Sequence, residues 1–158
     1  MAKSDFRFHY PIRVRWSDCD VQGVVYAGRY QDYLAIAEVE YYRNLGFDMY
    51  ALGRRNYYDT AAVKSTLEYR APARLDQLIE VHHKVSNIGE TSITMESEIY
   101  RTGSEELLTR AMVIYVSFNA EKQAKQPMPE DIRTLVTHFE DTGEILPIER
   151  FPNLVTPG

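Results

Sequence analysis

The stretch WSDCDVQGVVYAGRYQDYLAIAEVEYYRNLG, residues 16–46, joins a short polar loop to the longest helical pattern in the chain. From Gly28 to Leu45 the apolar residues recur at helical spacing. Tyr30, Tyr33, Leu34, Ala37, Tyr41 and Leu45 form one stripe, while Arg29, Gln31, Asp32, Glu38 and Arg43 largely fall elsewhere. Gly46 supplies a stop. A helix of about 17 residues is roughly 25 Å long at 1.5 Å per residue. Ahead of it, SDCDVQGVVYAG is polar and bounded by glycine, so it reads as a structured loop carrying two acids, Asp18 and Asp20.

On both sides of this unit the period is two. In FRFHYPIRVRW, residues 6–16, Ile12, Val14 and Trp16 alternate with Arg13 and Arg15, and Pro11 confines the strand to an edge or a bulge. Downstream, Val63, Ser65, Leu67 and Tyr69 oppose Lys64, Thr66, Glu68 and Arg70. Residues 78–85 place Ile79, Val81, His83 and Val85 on one side, and residues 92–100 alternate Ile93, Met95 and Ile99 with Thr94, Glu96 and Glu98. The last strand, residues 107–118, is apolar at both parities from Met112 to Val116, which predicts cover on both faces, one from the helix and one from a partner subunit. Pro129, Glu130 and Asp131 open a short helix before Ile132, Leu135 and Val136, and a proline-bearing tail follows. The order predicts an α+β fold, a curved antiparallel sheet of about five strands around one central helix. Residues 1–130 would be the main domain, with 131–158 packed on it or at an interface.

At 158 residues the chain suits one core, and 44% hydrophobic with 26% charged residues is ordinary globular composition. A net charge of −5 argues against nucleic-acid binding, which needs basic patches. Cys19, the single cysteine, cannot form an internal disulfide. The start MAKSDFRFHY lacks the apolar core of a secretory signal, so a cytoplasmic protein is expected, and no apolar run predicts a membrane span.

The string SDCDVQGVVYAGRYQDYLAIAEVEYYRNLGF resembles the signature of the 4-hydroxybenzoyl-CoA thioesterase family, in which an Asp-x-Asp pair precedes Gly-Val-Val-Tyr and a tyrosine-bearing helix. LEYRAPARLDQLIEV and GETSITMESEIY resemble the family's following strands, and YRAPARLD is most similar to the Tol-Pal-associated acyl-CoA thioesterases. The resemblance covers about residues 7–130. It implies a hotdog fold and hydrolysis of an acyl-CoA with no cofactor, coenzyme A being part of the substrate. It also implies a homo-oligomer, at least a dimer and by expectation a tetramer. By the same carry-over Asp20 is the catalytic carboxylate, and the backbone N–H of Ala27, helped by Gly28, polarises the thioester carbonyl. Two positions depart from the family pattern: Ala27 stands where histidine or an aromatic residue is usual, and Arg29 where asparagine is usual.

Physical chemistry supports such a pairing. A carboxylate can attack the acyl carbon itself or deprotonate a water that does, and the residues leave both routes open. Unpaired N–H groups at a helix entrance, here Tyr26 to Arg29, suit a developing oxyanion. Asp18 reads as structural, capping the loop or pairing with Arg15. Cys19 has no histidine in sequence context to make it a nucleophile, and His82 and His83 point to opposite strand faces, so no metal site is expected. Tyr26, Tyr30 and Tyr33 are candidates to line the substrate site, and Arg70 and Arg74, with Lys64 and Lys84, to meet CoA phosphates. The rival reading is a non-catalytic module that binds acyl-CoA or an acyl carrier protein.

Overall fold

The computed structural model describes residues 3–155. Its elements are β1 (Phe8–Arg13), α1 (Arg29–Leu45), α2 (Met49–Arg54), β2 (Thr60–Tyr69), β3 (Leu78–Ile88), β4 (Ser92–Arg101), β5 (Leu107–Asn119), β6 (Ala124–Lys125) and α3 (Glu130–Thr142). Antiparallel pairing runs in the order β1-β3-β4-β5-β2, and β6 adds a short pairing at the end of β5. The sheet curls around α1: Tyr41 of α1 meets Phe8 of β1 at 5.7 Å and His83 of β3 at 5.6 Å, ring to ring. This is the α+β hotdog arrangement.

All six residues of the anticipated α1 stripe are buried. Two more are buried with them: Tyr42, whose hydroxyl meets that of Tyr58 at 2.9 Å, and Glu38, which the helical reading had set apart from the stripe. Gly46 ends the helix at φ +110, and its N–H satisfies the carbonyls of Tyr42 and Arg43. A Cβ there would lie 3.2 Å from Ile148, so this glycine answers both to backbone conformation and to space.

Three local expectations change, in β1, in β2 and in the segment after α1. β1 is an edge strand, with Pro11 opposite Glu80, but it stops at Arg13. The chain then turns through a 3₁₀ segment, Trp16–Asp18, leaving Trp16 83% exposed and off the face it would share with Val14. In β2, Ala62 pairs with Tyr115 and Lys64 with Ile114, so Val63 is the extra residue of a bulge and projects into solvent. Because β2 is the other edge of the sheet, it is scarcely buried on either face. The outward side chains of β5, Met112 and Ile114, are only half-buried in the single chain. Finally, α2 was not anticipated; Asp48 caps it, accepting from the N–H groups of Tyr50 and Ala51.

α3 buries Ile132, Leu135, Val136 and Phe139. Its Glu140 accepts from Tyr41 Oη at 2.5 Å and from the N–H of Val85 at 2.9 Å, tying it to α1 and β3. Leu154 of the tail is fully buried, and residues 156–158 of that tail lie outside the described residues.

Candidate active site

The loop before α1 is a small hairpin. The Asp20 N–H donates to Val24 O at 2.9 Å, the Gly23 N–H to Asp20 O at 3.0 Å, and Cys19 bridges Val25. Gly23 adopts φ +74, the conformation that lets the chain reverse within Asp20–Gly23. Asp20 Oδ1 accepts from the Gln22 N–H at 2.8 Å, an Asx turn that holds the carboxylate at the tip. The returning strand is pinned to the segment before β3: Val25 N–H donates to Ala73 O and Leu75 N–H to Gly23 O. Asp20 is exposed, in a cleft of about 470 Å³ walled by Trp16, Cys19, Val21, Gly23 and Leu75.

Asp18 is the internal anchor of this loop. Its side chain is buried and accepts from the Arg15 N–H at 2.9 Å, Tyr33 Oη at 2.8 Å and Arg29 Nε at 2.7 Å. Burial opposes the charge, but these three donors together hold the Asp18 carboxyl below its ordinary 3.8. The ion-pair partner is thus Arg29, and Arg15 contributes only its backbone. The cation in the first turn of α1 is also explained: Arg29 bridges Asp18 and Asp32.

At the N-terminus of α1 the N–H groups of Ala27 and Gly28 donate to nothing among the described residues, while the Ala27 carbonyl accepts from Tyr69 Oη at 3.2 Å. Ala27 itself lines a cleft of about 300 Å³ together with Val25, Tyr30, Tyr69, Arg70, Ala71 and Pro72. Free amides at a helix start carry partial positive charge and can stabilise an oxyanion. Within one chain, then, Asp20 and Ala27 line separate clefts at the two ends of the same hairpin.

Of the other named residues, Tyr30 and Arg70 line the Ala27 cleft and Tyr26 is partly exposed at the helix entrance. Tyr33 points into the core, its hydroxyl taken by Asp18. Arg70 is paired with Glu68 at 2.8 Å, and Arg74 is exposed beside the hairpin, opposite Val24. Lys84 lies over the Phe6 ring. Partial burial and the carboxylates of Asp18, Asp20 and Asp76 push the Cys19 thiol up, against a thiolate role. His83 lies inside on Ser97 and His82 outside on Glu80; burial lowers His83 to about 3 and keeps it neutral. No helix among the described residues is long and apolar enough to cross a membrane.

Sequence reasoning missed Glu38. Its carboxyl, 6% exposed, accepts from Thr60 Oγ1 at 3.1 Å and from the Tyr115 hydroxyl. Burial raises it from 4.5 to about 7 despite these donors. The available signal was its position four residues after Leu34, on the buried stripe.

Residues 14–136 match the model of the thioesterase-like superfamily. The chain belongs to that superfamily. It is 31% identical over 125 residues to the acyl-CoA thioester hydrolase YbgC of Escherichia coli O157:H7, covering 79% of this chain and 92% of the relative. It is 27% identical over 136 residues to the acyl-CoA thioesterase YbgC of Haemophilus influenzae, covering 86% and 98%. Among solved structures, a 1,4-dihydroxy-2-naphthoyl-CoA thioesterase from Synechocystis superposes with a TM-score of 0.77 at 20% identity, over 87% of this chain and 98% of that one. The PA5185 protein of Pseudomonas aeruginosa gives 0.77 at 22%, over 86% and 93%. At such identities these structures speak for the fold.

Proposed function

We propose that this protein hydrolyses acyl-CoA thioesters, with Asp20 as general base or nucleophile and the amides of Ala27 and Gly28 as oxyanion donors. The observation that carries the reading is the pair of unclaimed N–H groups at the start of α1, seven residues after an exposed aspartate held at a turn, in a chain of the thioesterase-like superfamily. On the base route a water adds to the acyl carbon as Asp20 takes its proton, and the C–S bond then breaks to release acid and thiol. On the nucleophile route an Asp20 oxygen displaces the thiol, and water hydrolyses the resulting anhydride. Either way the carbonyl oxygen gains charge that the helix-start amides offset.

The motif WSDCDVQGVVYAG and the phrase YRAPARLD support a finer placement in the 4-hydroxybenzoyl-CoA family, beside the Tol-Pal-associated enzymes. The unpaired edge of β2, with Val63 and Tyr69 exposed on it, supports a working dimer or tetramer. A folded, fully active monomer in sedimentation would overturn that.

The test is thiol release from a panel of acyl-CoA esters. Asp20→Asn should lose at least ~10²-fold in kcat, while Cys19→Ser should stay near wild type. Binding of acyl-CoA without turnover would favour the non-catalytic module, and an active Asp20→Asn would move the chemistry to another residue.

A further inference from the structure

The 3₁₀ turn after β1 carries Trp16 out of the strand, and its largely exposed indole walls the cleft that holds Asp20. Val21, next to Asp20 at the hairpin tip, is fully exposed, and Cys19 and Leu75 line the same cleft. An indole and an isopropyl group facing water beside a carboxylate make an apolar surface that nothing among the described residues covers. The lining of this cleft holds no cationic side chain, and its one charge is that of Asp20. Burial, and then the carboxylates of Asp18, Asp20 and Asp76, push the Cys19 thiol up, and the same carboxylates give the cleft a negative potential.

We propose that the Asp20 cleft seats the acyl group of the substrate on the Trp16 indole, and that the acyl group it selects is uncharged and apolar. The proposal rests on the thioesterase reading, in which Asp20 acts at the acyl carbon directly or through a water. What lies against Trp16 is then either the acyl body or the near end of the pantetheine arm. The arm carries amides that need hydrogen-bond partners, and Trp16, Val21 and Leu75 offer its amides no acceptor. The nucleotide end of coenzyme A carries phosphates, which a negative cleft without a cation in its lining rejects. An acyl chain ending in a carboxylate is rejected for the same reason. An alkyl or aryl body needs only apolar contact, and the flat face of an indole gives it to either. Trp16 and Val21 are thus specificity-determining residues.

Trp16 is the single tryptophan of the chain, so intrinsic tryptophan fluorescence reports on this cleft alone. Emission is followed in wild type and in Asp20→Asn during titration with hexanoyl-CoA or with CoA, and calorimetry gives Kd for both ligands. The free protein should emit as a water-exposed indole does. Hexanoyl-CoA should shift the emission to the blue, and CoA should not. In wild type, kcat/KM for hexanoyl-CoA should exceed that for adipoyl-CoA, its analogue ending in a carboxylate, at least ~10-fold. Trp16→Ala should lower kcat/KM for hexanoyl-CoA at least ~10-fold through KM, leaving kcat and the acetyl-CoA reaction near wild type, and Trp16→Phe should restore most of the loss. Emission of a buried indole in the free protein overturns the proposal, because something other than substrate then covers Trp16. A shift produced by CoA alone overturns it too, by placing coenzyme A on the indole, as does hexanoyl-CoA that binds without a shift or fails to bind. Equal kcat/KM for hexanoyl-CoA and adipoyl-CoA overturns the selection for an uncharged acyl group. A shift with hexanoyl-CoA in a wild type that releases no thiol sinks the thioesterase reading and keeps the acyl seat.

Discussion

Replacing Glu38 by Gln should make the protein more stable at alkaline pH and leave it nearly unchanged in mild acid. The carboxyl is buried, and its folded-state pKa of about 7 exceeds the ordinary 4.5. A raised folded-state pKa means that the native state binds the proton more tightly than the unfolded chain does. The resulting stability is fully present below about 4.5 and is lost as pH rises through about 7. At about 1.36 kcal/mol per pKa unit the complete loss is roughly 3 kcal/mol, and between about pH 5 and 8.5 it is on the order of 2 kcal/mol. Glutamine mimics the protonated form and keeps an acceptor for Thr60 and Tyr115, so it removes this dependence. Urea unfolding of both proteins at the two pH values, at one protein concentration, isolates the effect, because every other titrating group cancels in the difference. A variant-minus-wild-type difference that is the same at both pH values would refute the assignment of a buried, titrating acid.

Asp18→Asn should cost about 2 kcal/mol or more, since the charged acceptor of Arg29, Tyr33 and the Arg15 N–H is lost. Because the folded-state pKa of Asp18 is depressed, its contribution is present above the ordinary 3.8 and fades as pH falls through the folded value, which acid titration of stability in wild type and variant should show. Tyr42→Phe should cost about 1–3 kcal/mol by stranding the buried Tyr58 hydroxyl, and the double variant with Tyr58→Phe should cost less than the sum of the singles by thermal melts. Gly46→Ala should destabilise by at least ~1 kcal/mol in the same melts, from its positive φ and the 3.2 Å approach to Ile148.

Local periodicity and glycine placement were enough to determine α1, the four later strands and the polar loop with its two acids, because a helix or an edge-exposed strand buries residues at a spacing that one sequence displays. The Asp-x-Asp loop and the helix entrance were legible for the same reason, since Asp20, Gly23 and Ala27 lie within eight residues. Trp16 and Val63 escaped because a turn and a bulge break the alternation without leaving a compositional mark. Glu38 escaped because its polarity hid its place on the buried face, and only the approach of Thr60 and Tyr115 from β2 and β5 shows how that face tolerates a carboxyl. The Thr60–Glu38 and Gln31–Ser65 hydrogen bonds join α1 to β2, residues brought together by the curl of the sheet. Local sequence sets which residues each element offers, and tertiary packing decides which of them meet across a seam, because contacts between 31 and 65 depend on how two separate elements lie and not on any spacing along the chain.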